Sequence, residues 1–329
     1  FPGGGWQGLA RRRNCRDDGA PPSLRLARAT VIDAAGGWLA LTTRFLALSA
    51  TTLALGAWVF GRLVLARLPQ AGDDTSHAAM RALAQHVAGW SAAVLALTAA
   101  ARMLVAVADV PAADVGVVGT TVFQGLWGRA LVVQGLAAGI AAAFLLARAP
   151  TIRWPAPAEV ALAVVGLTPP FLAHAGSAAE LRALAIIVDA VHGVAAAAWV
   201  GALVLVTIVF VRHRSADDAP ARGAALIAAF HPVAVIAAPT VFVTGLLTAF
   251  LRMGLPEGIA SPTYSGLFVA KLLLAGVTGW IGAGHSKLAT RRASALAPAT
   301  VSRSLLAECA FAVLVLALTA VLVGTAPLG

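Results

Sequence analysis

The sequence predicts an all-α, polytopic integral membrane protein with about eight transmembrane helices in one bundle, and three observations carry that prediction. The first is composition. Of 329 residues, 60% are hydrophobic and 12% charged, with a mean hydropathy of +0.86; a soluble domain has roughly 45–50% apolar and about 25% charged residues to cover a water-facing surface. The second is arrangement: the apolar residues gather into eight blocks, each near the roughly 20 residues that cross a bilayer core of about 30 Å as a helix. The third is texture, since every block is rich in Ala, Leu and Val and lacks the period-2 alternation of a membrane barrel.

Taken in order, the first block spans 44–66 and opens with Arg44, and the second spans 85–108 and carries Arg102 and Met103. The third, 129–147, begins at Arg129 and contains Gly135-xxx-Gly139, a spacing that lets helices approach closely. The fourth, 158–174, is interrupted by Thr168-Pro169-Pro170 and closes at His174. The fifth and sixth span 184–211 and 226–251; the seventh, 267–285, holds Lys271 one turn into an apolar run. The eighth, 305–325, holds Glu308 beside Cys309, where a surface bond to Arg303 or Lys287 is expected. The connections between the second and eighth blocks are short and marked by Pro, Gly or charge, so 38–329 is expected to form a single membrane domain. Residues 1–37 are rich in Gly, Pro and charge, start with Phe and lack the apolar stretch of a signal peptide; a disordered tail or a misassigned start is expected there.

The formal charge is +10 and the pI about 11.4, but the basic residues fall between apolar blocks and not on one face with interleaved aromatics. That excludes a nucleic-acid binder as the first reading. The connections after the first, third, fifth and seventh blocks hold Arg62, Arg67 and Arg81; Arg148 and Arg153; Arg212, Arg214 and Arg222; and Lys287, Arg291, Arg292 and Arg303. By the positive-inside rule these four loops are expected to face the cytoplasm and both termini to lie outside. Arg11, Arg12, Arg13, Arg16, Arg25 and Arg28 run against this assignment. Cys15 and Cys309 are too far apart for a convincing disulfide or metal pair, and the chain contains no CxxC, GxxxxGK[ST], GxGxxG or HExxH. No enzymatic activity is expected.

Ionisable groups inside the hydrocarbon region cost on the order of 2.5–3.5 kcal/mol each, so they are where function is sought first. His77, His86, His213, His231 and His285 fall in or near the cytoplasmic loops, whereas His174 and His192 flank one short external turn at similar expected depth. Asp189, His192, Ala196 and Trp199 recur at spacings of three, four and three, which places them on one helix face. A carboxylate one turn from an imidazole accepts its ring N–H and leaves the other nitrogen for a metal, although the same pair also serves as plain interhelical glue. Lys271 has Asp189 and Glu257 as possible carboxylate partners. Met103 offers a soft thioether that suits copper(I), or simply packs. Haem held between two histidines is the alternative from another functional class, and a scaffold without transport is a third.

Four passages resemble the copper-resistance D (CopD) family of bacterial inner-membrane proteins: LTPPFLAHAGSA at 167–178, DAVHGVAAAAWVGAL at 189–203, VTGLLTAFLRMG at 243–254 followed by SPTYSGLFVAKLLLAGVTGWIGAGHSKL at 261–288, and AECAFAVLVLALTAVLVGTAP at 307–327. The D-xx-H-x6-W-x-G pattern and the helix start leading to Lys271 are the diagnostic pieces, and a weaker likeness extends back to about residue 40. The resemblance implies eight spans and copper handling at the plasma membrane, alongside a periplasmic copper-binding partner. It also implies that His174, Asp189, His192, Trp199 and Lys271 are the recurring residues. The chain departs from a high-capacity copper store in having no MxxM outer loop and no His-rich terminus, so zinc, or no metal, stays open.

Overall fold

The computed structural model describes residues 37–68, 74–108, 116, 119–120, 124–147, 153–172, 181–213, 219–253, 262–290 and 298–325. Apart from short turns, these residues are helical, with no strand among them. Helix α1 (Gly37–Val59) runs on through a π turn (Phe60–Val64) and a 3-10 turn (Leu65–Arg67). It is followed by α2 (Asp74–Ala108), α3 (Leu126–Leu146), α4 (Ala156–Leu167) and the single turn α5 (Pro169–Leu172). Helix α6 (Arg182–Ala196) passes through a π turn (Ala197–Gly201) into α7 (Ala202–His213), and α8 (Ala219–Met253), α9 (Pro262–Thr290) and α10 (Pro298–Gly324) complete the bundle.

Seven of these segments are long and apolar enough to cross a membrane, taking α1 with its turns and α6 with α7 as one span each. The expected fourth span is the exception, because it is divided at Thr168 into helices of 12 and four residues. The cause is local. Pro169 has no N–H to give the carbonyl of Val165, and the Thr168 hydroxyl donates to that carbonyl instead, at 2.9 Å. The amide nitrogen of Gln134 on α3 then donates to the Thr168 oxygen at 3.0 Å, tying the break to its neighbour.

Large apolar side chains such as Leu97, Ile236 and Trp280 lie exposed on the outside of the bundle, as a lipid-facing surface requires. The interior is dominated by small residues. At the crossing of α1 and the α6–α7 span, a Cβ on Gly56 would lie 2.3 Å from the backbone of Gly201, and one on Gly201 would lie 2.1 Å from the Thr52 carbonyl oxygen. Only glycine permits this approach, which accounts for the W-x-G element of the sequence pattern. Of the glycine pair expected to bring helices together, Gly135 does meet Ala99 of α2, whereas Gly139 has open space around it. Glu308 departs from its surface assignment: its side chain is fully buried, with the carboxylate against Gly282 of α9.

Candidate functional site

A cavity of about 280 Å³ lies inside the bundle and takes lining residues from every span. In α1, α3, the α6–α7 span and α9 these residues fall toward the first half, and in α2, α4–α5, α8 and α10 toward the last half. The alternation means that the spans run up and down and that the cavity occupies one half of the bundle. The described arginines of the connections, Arg62, Arg67, Arg81, Arg153, Arg212, Arg222 and Arg303, belong to the other end. There Glu159 accepts from Trp58 at 3.0 Å and pairs with Arg62 at 2.5 Å, and Arg222 donates to Ser76 at 2.9 Å.

Asp189, His192, Ala196 and Trp199 all line the cavity, so the face read from their spacing is the inward one. Asp189 and His192 both reach across to α8. The His192 ring nitrogen Nδ1 lies 3.1 Å from the Val241 carbonyl oxygen and 3.1 Å from the Thr244 hydroxyl, both on α8. A carbonyl only accepts, so Nδ1 carries the proton, and in the neutral ring Nε2 is the nitrogen with a lone pair for a metal. Asp189 accepts from the Thr248 hydroxyl at 2.9 Å. Orientation of the imidazole thus comes from Val241 and Thr244, while Asp189 is held one turn away by Thr248. Gly245 makes the approach possible: a Cβ there would stand 3.1 Å from the imidazole.

Thr244 and Thr248 were not singled out by sequence reading. They stand as T-G-x-x-T at 244–248, two hydroxyls one helical turn apart around a glycine, in the same row as Thr240 one turn before. Lys271 lies on the cavity wall with Asp189, and Trp199 is buried beneath it. Met103 is half-buried and is not among the lining residues, although its neighbour Arg102 is. His174 and Glu257 lie outside the described residues.

The electrostatics of the wall were only partly legible. Arg44, Arg102 and Lys271 line the cavity against the single carboxylate of Asp189 among the described residues. The Arg102 guanidinium sits over the Trp127 ring, 5.8 Å from its centroid. Each like charge at a separation on the order of 10 Å raises the energy of a bare cation by about 1.7 kcal/mol in a partly wet protein interior. No three of His, Cys, Asp and Glu converge among the described residues. The donor set there fits a metal held briefly by one imidazole, and does not fit a closed structural site.

Residues 224–322, which cover most of α8, all of α9 and all but the last residues of α10, match the family model described as copper resistance protein D. The likeness read from the sequence is borne out over that stretch, which contains Thr244, Thr248 and Lys271 but ends short of the α6 residues they face. No curated protein and no solved structure matches the chain.

Proposed function

We propose that this protein handles copper at the bacterial plasma membrane, taking the ion as cargo from the extracytoplasmic side into the cavity and toward the cytoplasm or a membrane acceptor. The observation that carries the reading is the fixed tautomer of His192: Nδ1 is committed to α8, which leaves Nε2 as the ligating nitrogen at a cavity inside a multi-pass bundle. The family match over α8 to α10 supports copper as the metal. Arginines at the opposite end of the bundle support an outward-facing cavity with both termini outside.

In this reading His192 ligates the ion, Asp189 and Lys271 set the local charge, and Trp199 closes the floor. His174, which precedes α6 in the sequence, supplies the second imidazole, and Met103 is not among the residues that line the cavity. The chain has no nucleotide motif, and a cation moving toward a negative interior gains about 2.3 kcal/mol per charge per 100 mV, enough to drive entry. A periplasmic copper-binding protein is the natural donor.

Metal content and the optical spectrum of detergent-purified protein loaded with copper(I) test this reading, on the native chain, H192A and H174A/H192A, followed by uptake into sealed vesicles. Copper retained by the native chain, reduced in H192A and lost in the double variant is expected. Equal copper in all three forms overturns the site, and a Soret band in the native protein replaces the reading with haem-based redox chemistry.

A further inference from the structure

Three cationic side chains and one carboxylate are a poor cradle for a bare metal ion but a suitable one for an anion. Arg44 of α1 and Arg102 of α2 both line the cavity and lie close enough for their charges to repel. Arginine forks are matched in geometry to carboxylate and phosphate oxygens. Trp127 of α3 holds one of them by its ring face, an arrangement that fixes the guanidinium without neutralising it.

A second observation specifies the ligand further. Gln134 of α3 also lines the cavity and is 2% exposed, and its carbonyl oxygen Oε1 has no hydrogen-bond partner. The amide cannot simply be turned over. The Thr168 hydroxyl already donates to the Val165 carbonyl, so the oxygen of Thr168 must receive an N–H from Gln134, and that leaves Oε1 as the outstanding acceptor. A buried acceptor left in this state marks a place where a donor is wanted.

We propose that this half of the cavity is a binding site for a small anion that also carries a hydrogen-bond donor. Arg44 and Arg102 take the anionic oxygens and Gln134 Oε1 takes the donor. The class comprises soluble hydroxy- or amino-carboxylates and the hydroxylated phosphate headgroup of an anionic lipid, which share this chemistry. A cavity of about 280 Å³ suits a ligand of that size. The inference adds to the copper reading without resting on it, because its probes contain no metal.

Calorimetric titration of the full-length protein in detergent with malate and with succinate, which differ by one hydroxyl, tests the soluble arm. Mass spectrometry of co-purified phosphatidylglycerol tests the lipid arm. The expected result is binding of malate several-fold tighter than succinate, weakened at least tenfold in R44Q/R102Q and only partly restored in R44K/R102K, which keeps the charge but not the fork. In Q134L the preference for malate disappears while succinate binding stays. Phosphatidylglycerol retained by the native chain and by R44K/R102K but lost from R44Q/R102Q, with no malate binding, assigns the site to the headgroup. Size-exclusion profiles matching the native one show that the variants are folded. The proposal is overturned if neither malate nor lipid retention depends on the two arginines.

Discussion

The α6–α7 span meets two neighbours in opposite ways within about ten residues. At Gly201 it crosses α1 with no side chain between the backbones, so that the Cα of one glycine nearly fills the site of a Cβ on the other. At Asp189 and His192 it faces α8 through hydroxyls and a carbonyl, beside a cavity whose wall ends at Thr52 and Leu55 next to the packed crossing. The first contact gains dispersion over a close fit, which is what holds membrane helices together when lipid is as apolar as the core. The second sacrifices that fit to keep polar groups and space inside the bundle. Packing and chemistry have been separated along one helix, and the π turn at Ala197–Gly201 lies at the changeover.

The sharpest way to break this contrast is at the crossing. Even alanine at Gly201 puts its Cβ 2.1 Å from the Thr52 carbonyl oxygen, so G201A must spread the two helices, and G201V more so. Overpacking costs typically 1–3 kcal/mol and more against backbone, so G201V is expected to lose more than about 3 kcal/mol. Fluorescence-detected size-exclusion after stepwise heating checks this, and a profile equal to the native one refutes the packing role. H192A is expected to behave in the reverse manner. It removes one shared hydrogen bond at a half-exposed site, about 1 kcal/mol of stability, while copper retained after loading falls at least tenfold.

How much of this was legible in the sequence divides along the same line. Helix class and the number of apolar blocks follow from run length and composition, because the bilayer imposes both on any chain that crosses it. The inward face of α6 was legible as well, since Asp189, His192, Ala196 and Trp199 obey one helical period. Partners on other helices were not. That His192 bonds Val241 and Thr244 depends on the rotation of α8 relative to α6, and no local pattern encodes it. Threonine is common in membrane helices, where it satisfies itself on the carbonyl one turn back, as Thr240 and Thr319 do. Thr244 and Thr248 therefore carried no distinctive signal. Met103, suited to copper by chemistry, is half-buried and is not among the residues that line the cavity.

Smaller changes sharpen the polar side of the comparison. T244V preserves shape and deletes one of the two acceptors of His192 Nδ1–H, leaving the Val241 carbonyl. Loss of groups that orient a metal-binding histidine typically lowers affinity about 10–100-fold, and because one acceptor remains the lower end, about tenfold, is expected for copper(I) competition titrations. T248V acts one turn away on Asp189, so it should change copper affinity less than T244V while costing a similar 1 kcal/mol or so of stability. If T248V proves the more damaging to copper binding, Asp189 and not the His192 tautomer governs the site.

The smallest effect is expected at Trp127, which touches the cavity only through Arg102. Replacing the ring by leucine keeps an apolar side chain of fair size and removes the cation–π contact, worth about 0.5–1 kcal/mol at a partly exposed site. W127L should therefore shift the thermal midpoint slightly and leave copper retention near native, since Arg102 remains charged in the wall whether or not it is held over the ring. A loss of copper comparable to H192A would mean that the position of Arg102, and so the field across the cavity, matters as much to the metal as the imidazole does. The division between a packing contact at Gly201 and a chemical one at His192 would then have to include α2 and α3 on its chemical side.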